Sequence, residues 1–219
     1  MFIESISTNP AFFVYVVVTM VLSVVLHELA HGWAAIWQGD RTPIETGHMT
    51  IDPRVHMGAI SLIMLALMGM CYGAMPVDST RFRSRYGDAL VSAAGPLMNL
   101  LLAFLALTGL SVWQVAVRDS SEVSEVSGNL LQFLWVFGVS NVALFLLNLI
   151  PVPPLDGARV LANLNKGFAR MLRRVQDPRV FLIAFVVVFM VLSSNDYGLY
   201  KLARGIANSY VRGVVSVLA

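Results

Sequence analysis

VVLHELAHGWAA, residues 24–35, lies within an apolar stretch that opens at Ala11, yet it carries two histidines and a glutamate. Such groups are costly in lipid and functional by default where they occur there. His27 and His31 are four apart, so on a helix they leave one face and can share a metal ion. Glu28 beside them can reach water at that ion without ligating it. Nothing before Gly39-Asp40 interrupts the helical pattern, so the first helix is expected to continue through the histidines toward Gln38.

The rest of the chain explains why that stretch is read as a membrane helix. Of 219 residues, 57% are hydrophobic and 13% charged, with a mean hydropathy of +0.73. Soluble domains are about a quarter charged, so an integral membrane protein in one compact domain is expected. The net charge is only +2 and no basic run is interleaved with aromatics, which argues against a nucleic-acid partner. Cys71 is the sole cysteine, so neither an internal disulfide nor a Cys-based zinc knuckle can form. The first ten residues lack Lys and Arg, so residues 11–26 read as a retained first helix rather than a signal peptide.

Further apolar stretches cover residues 55–77, 89–117, about 123–155, and 180–195. The third and fourth of the five exceed the roughly 20 residues of a spanning helix. Residues 39–54, GDRTPIETGHMTIDPR, carry Thr, Ile and Gly-Pro punctuation and are expected to form short β-strands. The tail 197–219 places Lys201, Arg204 and Arg212 among apolar residues and reads as an amphipathic helix at the interface.

A catalytic zinc takes a third protein ligand and leaves its fourth position open. Asp156 stands apart from the other acidic residues, closing NLIPVPPLDG where three prolines must break the fourth apolar stretch. On spacing alone, Asp156 is either that third ligand or a cap for the next helix.

His27-Glu28-x-x-His31, followed far downstream by Asn148-x-x-Pro151 and Asp156-Gly157, resembles the site-2 protease family of intramembrane zinc metalloproteases. SAAGPLMN, with Gly95, Pro96 and Asn99, is similar to that family's central-helix motif, and residues 39–60 with YGAMPVD to its bacterial re-entrant segment. The resemblance covers roughly residues 20–160. It implies one zinc ion per chain, held by His27, His31 and Asp156, with Glu28 as catalytic base. It also implies a membrane-protein substrate cut within or near a transmembrane helix. No room is seen between the second and third core helices for the PDZ domain that many members insert, and no CBS-like extension follows.

Sharing one ion constrains the topology. The second half of the first helix and the far end of the fourth apolar stretch must face the same side of the bilayer. Residues 55–77 should therefore dip in and return rather than cross. That arrangement puts eleven of the fifteen basic residues on one side, which the positive-inside rule makes cytoplasmic. The expected fold is thus all-α and polytopic, a single domain over 1–219. It has a core at 11–160, a re-entrant segment at 41–77, C-terminal helices at 179–219 and about four transmembrane helices. The expected location is the bacterial cytoplasmic membrane, with the site toward the cytoplasm.

Asn148 and Asn99 are candidates for a second oxyanion donor, with helix–helix hydrogen bonding as the alternative. The edge of Thr46–Asp52 is a candidate to receive an extended substrate as an added strand, and Gly73–Val77 a candidate wall of the cleft. His48 and His56 read as strand or interface residues rather than ligands. The competing functions are a metal transporter and a catalytically inactive protein that binds membrane helices.

Overall fold

The computed structural model describes residues 2–117, 125–174, 180, 183 and 198–218. Among the described residues, three helices are long and apolar enough to cross a membrane: α1 (Pro10–Gln38), α3 (Gly87–Ala116) and α4 (Glu125–Asn148). Between the first two lies α2 (Pro53–Met68), and after α4 come α5 (Asp156–Leu164), α6 (Lys166–Arg174) and α7 (Leu199–Leu218). The fourth expected span, at 180–195, falls almost entirely outside the described residues.

The α1 helix starts where Asn9 accepts a hydrogen bond from the Phe12 N–H at 3.0 Å, with Pro10 opening the first turn. It passes through the histidines and stops at Gly39, in the left-handed conformation. The α3 helix lies between α1 and α4 and packs on both. Cross-links between side chains set the directions. Tyr15 donates to Asn129 at 2.9 Å, and eight residues further along α1, Ser23 meets Asn141 at 2.8 Å. Thus α1 and α4 run parallel, with α3 antiparallel between them. Small and branched residues let the helices approach closely: Ala103, Leu107 and Leu110 of α3 meet Val139 and Val142 of α4. The α7 helix closes this core with Ala203, Ala207 and Val211, so its apolar face lies against protein.

The segment between α1 and α3 makes an excursion from one point. Its two ends are joined at the C-terminal end of α1: the Asp78 N–H donates to Asp40 Oδ2 at 2.7 Å, and the Arg83 N–H to Gln38 O at 2.8 Å. From there α2 leads away, kinked at Gly58 (φ 66°), and its closing residue Gly69 lies against the Phe2 ring. Residues 70–78 return alongside it. The Ser61 hydroxyl holds both the N–H and the carbonyl of Tyr72, and the Ala74 N–H donates to His56 O at 3.0 Å.

The short strands expected over residues 39–54 are not formed. Thr42–Glu45 is a turn of helix and the remainder is tight turns. Turns win locally at Thr50, whose N–H donates to His48 O and whose carbonyl accepts from His56. The Thr46–Asp52 edge expected to receive a substrate strand is therefore not preformed.

Candidate metal centre

The antiparallel register brings α3 against the second half of α1, and the parallel run of α4 delivers the chain back to the same end. Pro151, Pro153 and Pro154 end the helical path after Asn148, and Asp156 opens α5. Its two carboxylate oxygens lie 3.2 Å from His27 Nε2 and 3.4 Å from His31 Nε2. The two Nε2 atoms are 3.1 Å apart, with the imidazole planes at 87°. Asp156 thus sits with the histidines although about 125 residues separate them in the chain, as one shared ion requires.

The partners of the other ring nitrogens show what this cluster accommodates. His31 Nδ1 faces Val91 O at 2.7 Å, and a carbonyl only accepts, so Nδ1 carries the hydrogen. His27 Nδ1 faces Asn99 Oδ1 at 2.7 Å, with the same consequence. In the neutral rings both Nε2 atoms therefore point lone pairs at each other and at a carboxylate. Three electron-rich groups in contact repel unless a cation lies among them. Their separations also suit zinc: ligands at 2.0–2.1 Å in a tetrahedron stand about 3.3 Å apart. Burial is nearly complete, with His27, Glu28 and His31 each under a tenth exposed.

The close approach of α3 depends on Gly95. A Cβ there would collide with His31 Nε2 and stand 2.6 Å from His27 Nε2. Pro96 follows and withholds an N–H from Ser92, in the turn whose Val91 carbonyl serves His31. On the other side Gly73, in the returning limb, lies against the Glu28 carboxylate, while Met49 and Met75 pack over Gly32.

The remaining candidates take distinct places. Asn99 is 1% exposed and its amide is engaged at both ends, on His27 and on Asn141 Oδ1 at 2.9 Å. Asn148 closes α4 with its amide nitrogen turned back on Leu144 O at 3.1 Å. His48 bonds locally to Thr46. His56 is buried and holds the preceding turn through Nε2 and Thr50 O at 2.6 Å. One contributor, Ser23, escaped the sequence reading. Asn141 was visible as a polar residue inside an apolar helix, but its partners were not.

The sequence model of peptidase family M50 matches residues 15–193. The chain is 33% identical over 178 residues to the "Putative zinc metalloprotease YwhC" of Bacillus subtilis, covering 80% of each protein. It is 31% identical over 192 residues to the "Putative zinc metalloprotease Rip2" of Mycobacterium tuberculosis (strain Erdman), covering 84% of this chain and 70% of that one. It is 25% identical over 194 residues to the "Zinc metalloprotease MJ0392" of Methanocaldococcus jannaschii, covering 87% of this chain and 47% of that protein. No solved structure matches significantly. With a family match over most of its length, across a range that contains His27, His31 and Asp156, the chain belongs to peptidase family M50, the site-2 proteases.

Proposed function

We propose that this membrane protein is a zinc-dependent endopeptidase that cuts other membrane proteins within or beside their transmembrane helices. The observation carrying this reading is the convergence of three lone-pair groups next to a buried glutamate, among helices long enough to span a bilayer. The three ligand atoms lie within 4.8 Å of one another. That is a single level, whereas a transporter needs ligands spaced along a path.

His27 Nε2, His31 Nε2 and Asp156 would hold the zinc. When bound, it supplies Lewis acidity that polarises the scissile carbonyl and makes water a usable nucleophile near neutral pH. Glu28 takes the proton of the attacking water and returns it to the departing amine. Asn99 and the Val91 carbonyl keep the two imidazoles in the ligating tautomer. Asn99 is thereby committed, which leaves Asn148 as the candidate donor to the oxyanion, since its bond to Leu144 O lies within its own helix and can be exchanged. Gly73 and its neighbours form the wall facing Glu28.

In this reading residues 41–77 are a segment that dips into the bilayer and returns, within one domain spanning 1–219. The joining of residues 38–40 to 78–84 supports this. The charge distribution favours a site facing the cytoplasm. A substrate helix hides its peptide bonds in its own hydrogen-bond ladder, so local unwinding beside the excursion precedes cleavage.

The test uses purified wild type and Glu28→Gln in detergent with a labelled transmembrane peptide. Zinc should be bound by both and the peptide cut only by the wild type, with a rate loss of about 10²–10⁴-fold in the variant. Cutting by Glu28→Gln at the wild-type rate, or a wild type that binds no zinc, refutes the assignment.

A further inference from the structure

A chain of side-chain hydrogen bonds runs from His27 through all three apolar helices and returns to α1. His27 Nδ1 meets Asn99 Oδ1 at 2.7 Å, and Asn99 Nδ2 donates to Asn141 Oδ1 at 2.9 Å. Asn141 Nδ2 donates both to Ser23 Oγ at 2.8 Å and to Phe137 O at 2.9 Å. Ser23 lies one helical turn before His27. Asn99, Asn141 and Ser23 are all at most 1% exposed, so water is not available to substitute for a missing partner.

The direction of every bond follows from its far end. An amide side chain has one donating and one accepting end, and in isolation either could face a neighbour. A backbone carbonyl has no such freedom. Phe137 O can only accept, so the atom of Asn141 facing it must be nitrogen. The other end of Asn141 is then oxygen, which obliges Asn99 to present its nitrogen there. Asn99 is left with oxygen toward His27, so Nδ1 must carry the hydrogen and Nε2 must offer its lone pair. His31 obtains the same result in one step from Val91 O.

We propose that Asn99 and Asn141 are positioning residues that fix His27 as a metal ligand, the Phe137 carbonyl setting the tautomer through two amides in series. The proposal rests on His27 being a zinc ligand. It adds that ligand quality depends on a residue in α4 that does not touch the imidazole. Without Asn141, the Asn99 amide can reverse and offer nitrogen to His27, which stabilises the tautomer that cannot bind metal through Nε2.

The experiment measures zinc affinity by competition with a chromophoric chelator, using the full chain in detergent, and requires no turnover. Asn99→Leu and Asn99→Asp both remove the donor to Asn141, so any loss of helix packing through that bond is common to both. Only Asn99→Asp keeps an acceptor on His27 Nδ1. Asn99→Leu should weaken zinc binding about 10–100-fold, the usual effect of losing a ligand's outer partner, and Asn99→Asp should bind close to wild type. Asn141→Leu should weaken binding about tenfold, and adding Asn99→Asp to it should restore the affinity, because a carboxylate accepts whichever way it turns. Equal affinity in Asn99→Leu and Asn99→Asp overturns the proposal, as does a double variant no better than Asn141→Leu. If Asn141→Leu does not fold, the two Asn99 variants decide alone. A wild type that binds no zinc would instead overturn the metal site itself.

Discussion

The packet of α1, α3 and α4 and the excursion between α1 and α3 solve the same problem in opposite ways. In the packet, polar side chains are sunk between helices and bonded to one another, so each ligand is over-determined. Asn99, Asn141, Ser23 and the two imidazoles form one connected set. In the excursion, polar bonds gather at the attachment point and along the limbs, while Ile51, Ile60 and Ile63 face outward. One region holds its polar atoms in place between helices, and the other turns apolar side chains outward. The two regions meet at the same glutamate.

Matched steric insults should expose this division most clearly. Gly95→Ala drives a methyl group onto both imidazoles inside the packet, where nothing can give way. Overpacking of about 1–3 kcal/mol borne at the ligands corresponds to a loss of zinc affinity of about tenfold or more. Cleavage should vanish with it, and chelator competition checks the first while peptide cleavage checks the second. Gly73→Ala presses on Glu28 and Val24 from the excursion, where the ends of side chains can yield. It should slow cleavage while leaving zinc affinity unchanged. Loss of zinc in that variant would show that the two regions are not separable.

A smaller effect is expected at the attachment point. The Asp40 carboxylate is fully buried and receives the Thr42 N–H and hydroxyl and the Asp78 N–H. Burial alone would raise its pKa, but those hydrogen bonds, with Arg81 nearby, hold it below the ordinary carboxylate value. Its stabilisation is thus complete above the unfolded value near 3.9 and is lost as pH falls through the lower folded value. Asp40→Asn should remove about 1–3 kcal/mol at neutral pH, seen as faster hydrogen exchange in residues 41–84 with the helix packet unaffected. Uniform loosening of the whole chain would contradict the comparison. The least effect belongs to Arg54→Ala: its ion pair with Asp52 is exposed, and no shift in unfolding temperature is expected.

What could be read in the sequence was local or forced. His27, Glu28 and His31 were legible because a helix makes neighbours of residues four apart. Asp156 stood out because three prolines must end a helix, but spacing left it as ligand or cap and the family resemblance chose between them; the requirement for one shared ion then ordered the topology around it. The connections that orient the ligands were not legible, because they join residues 72, 42 and 118 positions apart. No local pattern tells an Asn that bonds a neighbouring helix from one that donates to substrate. The strands expected at residues 39–54 failed for a related reason. Thr, Ile, Gly and Pro suit tight turns as well as strands, and His56 just beyond the stretch, with the distant Asp78, helps set the turns seen.

Since the excursion leaves and rejoins the fold at one place, its length is uncoupled from the orientation of everything that follows. A turn or even a small folded unit added there would leave α3 and α4 running as before, with Asp156 still returning to the histidines. An extra crossing anywhere else in the core would carry the aspartate to the opposite leaflet. This loop is therefore the seam at which such an enzyme could be refitted for new clients while its metal stays undisturbed.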